Sequence, residues 1–392
     1  MTAKTMSDSN SAAVALPKAL AASDGDLQLT SRIHTEPSHA YRGAFARDCG
    51  RILHAKAFRR LAGKTQVFTR LAAESDHSRS RLTHTLEVAQ IARTIAATLG
   101  LNSLLSETLA LVHDIGHPPF GHAGEKALDG ALHSHGLRFD HNLHALRIVT
   151  HFEERYAGFL GLNLTFAVRE GIIKHSRDYR EAEYPELGEY LLDRQPPLEA
   201  QLIDLADEIA YLTADIEDGL AAGILELGQL RLDAPFFSEA YAEAEREYSG
   251  AAPNLLSNEA LKTMLNCLAT DLMRETARAV REAGAETLED VRRQPGRLAR
   301  LSAAMDEQRM ETKKYLYAHL YHAPEMRVGH ARAAEVIEQL FAAWVQEPER
   351  MPQDHFARVA TEGAPRAVAD YIAGMTDAYI EKAWEQFLAT AR

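Results

Sequence analysis

HDIGHPPFGHAGE, running from His113 to Glu125, places three histidines and two acids within thirteen residues. It begins where an apolar run ends. From Leu104 to Val112 the residues Leu105, Leu109, Ala110 and Val112 recur at three- and four-residue intervals, the period of one helix face. Gly116 then permits a left-handed turn, and Pro118-Pro119 cannot continue a helix. The stretch predicts His113 and Asp114 in a last helical turn, with His117 and His122 flanking a short rigid loop. A second helix is expected from about Gly121, carrying His122 and Glu125 one turn apart.

Neighbouring helical residues point about 100° apart, so His113 and Asp114 share an ion only at a helix end. A divalent ion with imidazole and carboxylate ligands takes about four to six donors, so the pair needs help from elsewhere. His84 lies in RLTHTLEVAQIARTIAATLG, where Leu82, Leu86, Ala89, Ile91, Ala92, Ile95, Ala96 and Leu99 cover most of the helix circumference. Such a helix is buried, and its histidine is either a satisfied core group or a ligand. LEAQLIDLADEIAYLTADIEDGL sets Asp204, Asp207, Asp215 and Asp218 among Leu202, Ile203, Leu205, Ala206, Ile209, Ala210 and Leu212. Buried carboxylates are costly unless paired or bound to a cation.

Together, His84, His113-Asp114 and Asp207 resemble the signature of the HD superfamily of metal-dependent phosphohydrolases. More narrowly, the chain is similar to the dGTPase-like deoxynucleoside triphosphate triphosphohydrolases from about Tyr41 to Asp218. The blocks that carry this are RILHAKAFRRLAGKTQVF, RLTHTLEVAQIARTIA, HDIGHPPFGHAGE, FDHN with LRIV, GLNLTF with VREGIIKHS, and ADEIAY with ADIEDG. It returns weakly at KKYLYAHLYHAPEM.

The resemblance implies a divalent metal (Mn, Mg, Fe, Co or Ni) on His84, His113, Asp114 and Asp207. It implies water attack at the α-phosphorus of a deoxynucleoside triphosphate, releasing deoxynucleoside and intact triphosphate. His122, positioned by Glu125, fits either proton donation to the 5′ oxygen or orientation of the water. His117 fits positioning and phosphate contact, or else a structural cap on the Pro-Pro loop. His141 matches a histidine that points into the site, and His133, His135 and His144 read as surface groups. Arg81 matches a phosphate-contacting arginine. Gln66 and Val67 match the deoxyribose-lining segment, with Val67 where a 2′ hydroxyl would need room. Lys174 closes the helix VREGIIKHS, either as a complement to its dipole or as a contact to the triphosphate. Asp207, Tyr211 and Asp215, four residues apart, share one helix face, and Asp215 with Gln66 would hold the 3′ hydroxyl. Asp140, His144 and Phe166-Ala167 depart from the family pattern, which bears on base recognition.

Composition bounds the rest. The chain has 392 residues, 46% hydrophobic and 25% charged, ordinary for a globular protein. A net charge of −13 argues against a protein that coats nucleic acid non-specifically; single-strand binding as a second activity stays open. Cys49 and Cys267, far apart, give neither a disulfide framework nor a thiolate metal site. No apolar run reaches the ~18 residues of a membrane span. The first thirty residues, rich in Ser, Ala, Thr and Asp, lack a secretory core and read as a disordered tail or, alternatively, a short amphipathic partner helix. A cytoplasmic location is expected. Arg42, Arg47, Arg51, Lys56, Arg59, Arg60 and Lys64 form a basic cluster, either a solvated face or a rim for polyphosphate.

Helical patterns over 256–284, 298–321, 328–345 and 365–390, with no strand-alternating stretch, internal repeat or GxxxxGK loop, predict an all-α protein. The expected parts are the tail 1–30, an HD-domain helical bundle over 31–225, and an additional helical C-terminal region over 226–392. Relatives of this kind assemble as homo-oligomers, and a deoxynucleotide acting also as activator stays open. The alternatives are another HD-type nucleotide phosphohydrolase, disfavoured by RILHAKAFRRLAGKTQVF and VREGIIKHS, or a nucleotide-sensing or single-strand-binding protein, disfavoured by the complete ligand set.

Overall fold

The computed structural model describes residues 14–66 and 79–390. Every regular element among them is helical, as the sequence predicts; the extended pairings are two isolated bridges, Thr65 with Ser80 and Tyr156 with Phe159. In chain order the helices are α1 (Ala44–Leu53), α2 (Lys56–Arg60), α3 (Arg81–Leu99), α4 (Ser103–Val112), α5 (Gly121–His133), α6 (His141–Arg147), α7 (Phe166–Ile173), α8 (Leu198–Ala221) and α9 (Leu227–Asp233). Then follow α10 (Pro235–Glu247), α11 (Pro253–Glu282), α12 (Leu288–Arg292), α13 (Ala303–Leu316), α14 (Pro324–Gln346), α15 (Gln353–Phe356), α16 (Val359–Glu362), α17 (Ala364–Ala373) and α18 (Asp377–Thr390).

Two compact units interleave along the chain. The first comprises residues Met1–Cys49, Leu86–Ala110 and Thr165–Ala323, the second Gly50–Thr85, Leu111–Leu164 and Pro324–Arg392. These units divide the chain differently from the expected boundary near residue 225: 226–323 falls in the unit that contains α8, and 324–392 in the unit that contains the HDIGH motif. Hydrophobic pattern along one segment cannot show which distant segment it packs against.

In the first unit, α8 buries Leu202, Ile203, Ala206, Ile209, Ala210, Leu212 and Ile216, and the long helix α11 packs along it. The segment before α1 is ordered from Val14 onwards, which corrects the expectation of a disordered tail for those residues. Val14, Leu16, Leu20 and Leu29 are buried. The Leu16 amide donates to Leu99 O at 2.9 Å. The amides of Ala22 and Asn102 both donate to Glu199 Oε1 at 2.9 Å. Only a 3₁₀ turn, Lys18–Leu20, is helical in this stretch, so an extended chain tied down by its backbone replaces the alternative amphipathic helix. Residues 1–13 lie outside the described ones.

In the second unit, α5, α14, α17 and α18 enclose a core of Leu128, Leu132, Val336, Ile337, Leu340, Phe341, Val368, Ile372 and Ile380. The expected single helix over 365–390 is interrupted between Ala373 and Asp377.

Leu20 is fully buried although it sits in a segment of low hydrophobicity. Leu20→Ala is expected to cost about 2–4 kcal/mol, as for other buried leucines, read as a lower urea midpoint at unchanged slope.

Candidate active site and metal centre

Backbone geometry in the second unit delivers the motif. Helix α4 ends at Val112, so His113 and Asp114 lie in the turn just beyond it rather than in a last helical turn. A Cβ on Gly116 would stand 1.9 Å from His141 O and 2.5 Å from Ala145 N, so only glycine lets this turn lie against α6. Phe120, at φ 63°, takes the left-handed conformation, and α5 starts at Gly121 as predicted.

The turn brings His113 and Asp114 to His84, on the first turn of α3. All three are buried, and each offers one ligand atom within 4.8 Å of the others. Two imidazoles and a carboxylate in a buried pocket suit a divalent metal of the borderline class. Around Asp114, Arg81 Nη1 donates to Oδ2 at 2.7 Å, while His117 Nδ1 lies 2.9 Å and His113 Nε2 3.5 Å from Oδ1. Burial raises the Asp114 carboxyl, but Arg81, His113 and His117 outweigh it and hold the group well below the usual carboxylate range. Burial and the Arg81 guanidinium push the His117 imidazole well down, so this ring is neutral at pH 7. Arg81 keeps Nε buried without a protein partner among the described residues.

A second chain of groups adjoins the first. His117 stacks on His141 with ring centroids 4.0 Å apart. Glu125 Oε1 accepts from the His141 amide at 3.1 Å and lies 2.8 Å from His141 Nδ1. Glu125 Oε2 lies 3.5 Å from His122 Nδ1, whose side chain is 82% exposed. The sequence reading gave Glu125 to His122; the geometry gives it chiefly to His141 and secondarily to His122. His117, Glu125 and His141 also form a donor cluster within 4.8 Å.

His144, expected at the surface, is buried, with Nδ1 3.2 Å from Asp370 Oδ1, which corrects that expectation; His133 and His135 are exposed as expected. The helix period put His144 on the side of α6 that meets α17, and a single segment does not reveal its partner. Asp140 is the N-cap of α6, accepting from the amides of Asn142 and Leu143. Gln66 is half-buried, its Oε1 without a partner among the described residues. Val67 lies outside the described residues.

The first unit places Asp207 half-buried on α8. Tyr211 Oη donates to Glu208 Oε1 at 2.8 Å, and Lys313 Nζ reaches the same oxygen at 2.6 Å, with Arg309 also paired to Glu208. Asp215 accepts from Tyr321. Tyr321, Arg309 and Lys313 are thus neighbours of candidate site residues not singled out from the sequence; Lys313 and Tyr321 lie in the block KKYLYAHLYHAPEM, the signal that could have found them, and Arg309 lies one helical turn before it. Lys174, expected to complement a dipole or reach triphosphate, instead donates to Glu170 Oε1 at 2.8 Å, Leu191 O at 2.8 Å and Arg194 O at 2.7 Å. An ammonium has three donors, and all are spent inside the unit.

Residues 81–212 match the HD domain and residues 299–386 the phosphohydrolase-associated domain. Over 353 residues the chain is 46% identical to a deoxyguanosinetriphosphate triphosphohydrolase-like protein of Thiobacillus denitrificans, covering 90% of this chain and 92% of that one. Proteins with the same description from Ralstonia pickettii, at 43%, and Leptospira interrogans, at 41%, match over 92% and 90% of this chain and 92% of their own. The chain belongs to this deoxyguanosinetriphosphate triphosphohydrolase-like family. It is accordingly an HD-domain hydrolase, and His84, His113 and Asp114 form a His and Asp group that could hold a divalent metal. No helix among the described residues is long and apolar enough to cross a membrane.

Burial raises the Glu125 carboxyl, but its bonds to His122 and His141 carry it far below the ordinary glutamate value. A group depressed in the folded state stabilises it above the unfolded pKa of about 4.3, and loses that contribution as pH falls. Glu125→Gln removes this dependence. Between about pH 5 and pH 2 its melting temperature is expected to fall less steeply than that of the unaltered protein, measured by circular dichroism.

Proposed function

We propose that this protein hydrolyses deoxynucleoside triphosphates to deoxynucleoside and inorganic triphosphate. The water oxygen bonds to the α-phosphorus, the bond from phosphorus to the 5′ oxygen breaks, and that oxygen takes a proton. The observation that carries this reading is the convergence of His84, His113 and Asp114 in a buried pocket, joined through His117 to the His141–Glu125 pair.

A divalent ion of the Mn, Mg, Fe, Co or Ni class bound there would polarise a phosphoryl oxygen and lower the pKa of water towards about 7. Asp207 is proposed as the fourth ligand on the strength of its sequence block. Among this chain's own groups, Arg81 secures Asp114 through Nη1 and has Nε left for a phosphate oxygen. His117, neutral and stacked on His141, cannot act as the acid at neutral pH; its role is to hold phosphate. His141, fixed at Nδ1 by Glu125, orients the water. His122, exposed and beside the same carboxylate, is the proton donor to the 5′ oxygen. Gln66, Val67, Tyr211 and Asp215 are assigned to the sugar, with Tyr321 holding Asp215. Lys174 is left out because its donors are used. The assembly is proposed to be a cytoplasmic homo-oligomer.

Purified protein with each metal would be incubated with every deoxy- and ribonucleoside triphosphate, singly and in mixtures, and the products resolved by chromatography. Deoxynucleoside with triphosphate is expected; release of diphosphate or monophosphate, or no turnover in any mixture, overturns the proposal. Turnover seen only in mixtures identifies an activating nucleotide.

Two variant sets separate metal binding from proton handling. His84→Ala and Asp207→Ala are expected to lose bound metal and turnover while keeping helical content. Glu125→Gln and His122→Ala are expected to keep metal and lose about a hundredfold in kcat. Metal content by mass spectrometry and steady-state rates decide both.

A further inference from the structure

The loop from Gly116 to Gly121 carries His117 yet has a backbone poorly suited to holding itself. Pro118 and Pro119 have no amide to donate, and Phe120 sits at φ 63°, a conformation that residues with a side chain rarely keep unless their surroundings impose it. Two buried side chains, distant in sequence, impose it. Lys64 Nζ donates to His117 O at 2.5 Å and to Ala373 O at 2.9 Å. Asp377 Oδ1 accepts from the Phe120 amide at 3.0 Å, and its Oδ2 accepts from the Thr65 amide at 2.9 Å and from the Thr65 hydroxyl. An amino group thus grips the carbonyl at one end of the loop and a carboxylate grips the amide at the other. All of these groups belong to the second unit.

The interruption between α17 and α18 is what makes this grip available. In a continuous helix, Ala373 O would accept from the amide of Asp377, four residues on. The break leaves that carbonyl among the orphan acceptors of a helix C-terminus, and Lys64 takes it. The same break puts the Asp377 carboxylate at the first residue of α18. Gly63 fits closely against it: a Cβ there would lie 2.9 Å from Thr376 Cγ2. The turn carrying Lys64 and Thr65 is therefore pressed directly onto the interruption.

We infer that Lys64 and Asp377 are positioning residues for catalysis, and that the break between α17 and α18 exists to hold the His117 loop. Neither side chain is placed against substrate. Each acts on the backbone that sets the direction of the His117 ring, and through it the contacts to Asp114 and His141. The inference rests on the proposed function only in calling His117 a site residue; the grip itself stands on the bonds above.

The test uses the full-length, metal-loaded protein. Asp377→Asn places an amide donor against N–H groups that need an acceptor; Lys64→Met removes the amino group but leaves the bonds of Asp377 in place. For both, kcat is expected to fall by about tenfold to a hundredfold, as for small misplacements of a catalytic group. KM should change less than about twofold, and metal content should match the unaltered protein. Hydrogen exchange should quicken in peptides covering 116–121, while those covering α3 keep their protection. Unchanged kcat and exchange overturn the inference. So does a loss of rate that follows metal loss or protection lost throughout, because that is a merely structural role. Should the unaltered protein hydrolyse no nucleotide, the proposed function fails separately, and exchange at Phe120 in Asp377→Asn still decides the grip.

Discussion

Asp114 is a buried carboxylate, and the second unit is built around keeping it charged. An uncompensated buried charge costs several kcal/mol, so its partners must arrive together. Arg81 at 2.7 Å and His117 at 2.9 Å take its two oxygens. Arg81 and His84 lie three residues apart on the first turn of α3, hence on one face. The same turn that neutralises Asp114 thus also supplies a metal-type donor beside it. Gly116 lets the motif lie against α6, which carries His141. Removing any one of these fixtures would leave a buried charge exposed to its neighbours rather than to solvent, so stability and chemistry are set by the same contacts.

What the sequence showed was local. HDIGHPPFGHAGE contains its own helix start and its own donors, readable from proline and spacing; the left-handed residues are Phe120 and Gly121 rather than the expected Gly116, which close approach to α6 requires instead. The apolar residues around His84 foretold a buried helix; Ala89, Ile91, Ala92, Ile95, Ala96 and Leu99 are buried, whereas Leu86 is exposed. Long-range pairing is where reading from pattern ran out. The polar composition of the first thirty residues suggested disorder because side-chain hydrophobicity was the only signal. Order from Val14 onwards comes from the few apolar residues it does have, Val14, Leu16, Leu20 and Leu29, buried, together with backbone bonds and Glu199, 177 residues away from the Ala22 amide it accepts.

Lys174 shows the same limit more sharply. Its spacing of four from Glu170 is visible in the sequence, but the demand Glu170 makes is not. Glu170 is fully buried and accepts two bonds from Arg292 at 2.8 and 2.9 Å, 122 residues away. One carboxylate balanced by Arg292 and Lys174 is a closed structural set. A cation so engaged could reach a triphosphate only by abandoning a buried acid, which would cost more than an exposed phosphate contact returns. His144 and Asp370 repeat the pattern in the second unit: a histidine whose surroundings read as polar is buried because its partner comes from α17.

Two histidines flank the Pro-Pro loop in opposite surroundings, and that contrast orders the chemistry. The rings of His117 and His122 lie 5.5 Å apart. His117 is buried against Arg81, so protonating it would place a second cation in the same dry pocket; it is held neutral and can only accept or donate a hydrogen bond. His122 stands in solvent beside Glu125, its side chain largely exposed. Glu125 contacts both His122 and His141, so one carboxylate fixes an exposed imidazole and a buried one. Its loss would release both rings at once, which makes Glu125, rather than either histidine, the group on which the arrangement of this side of the pocket depends.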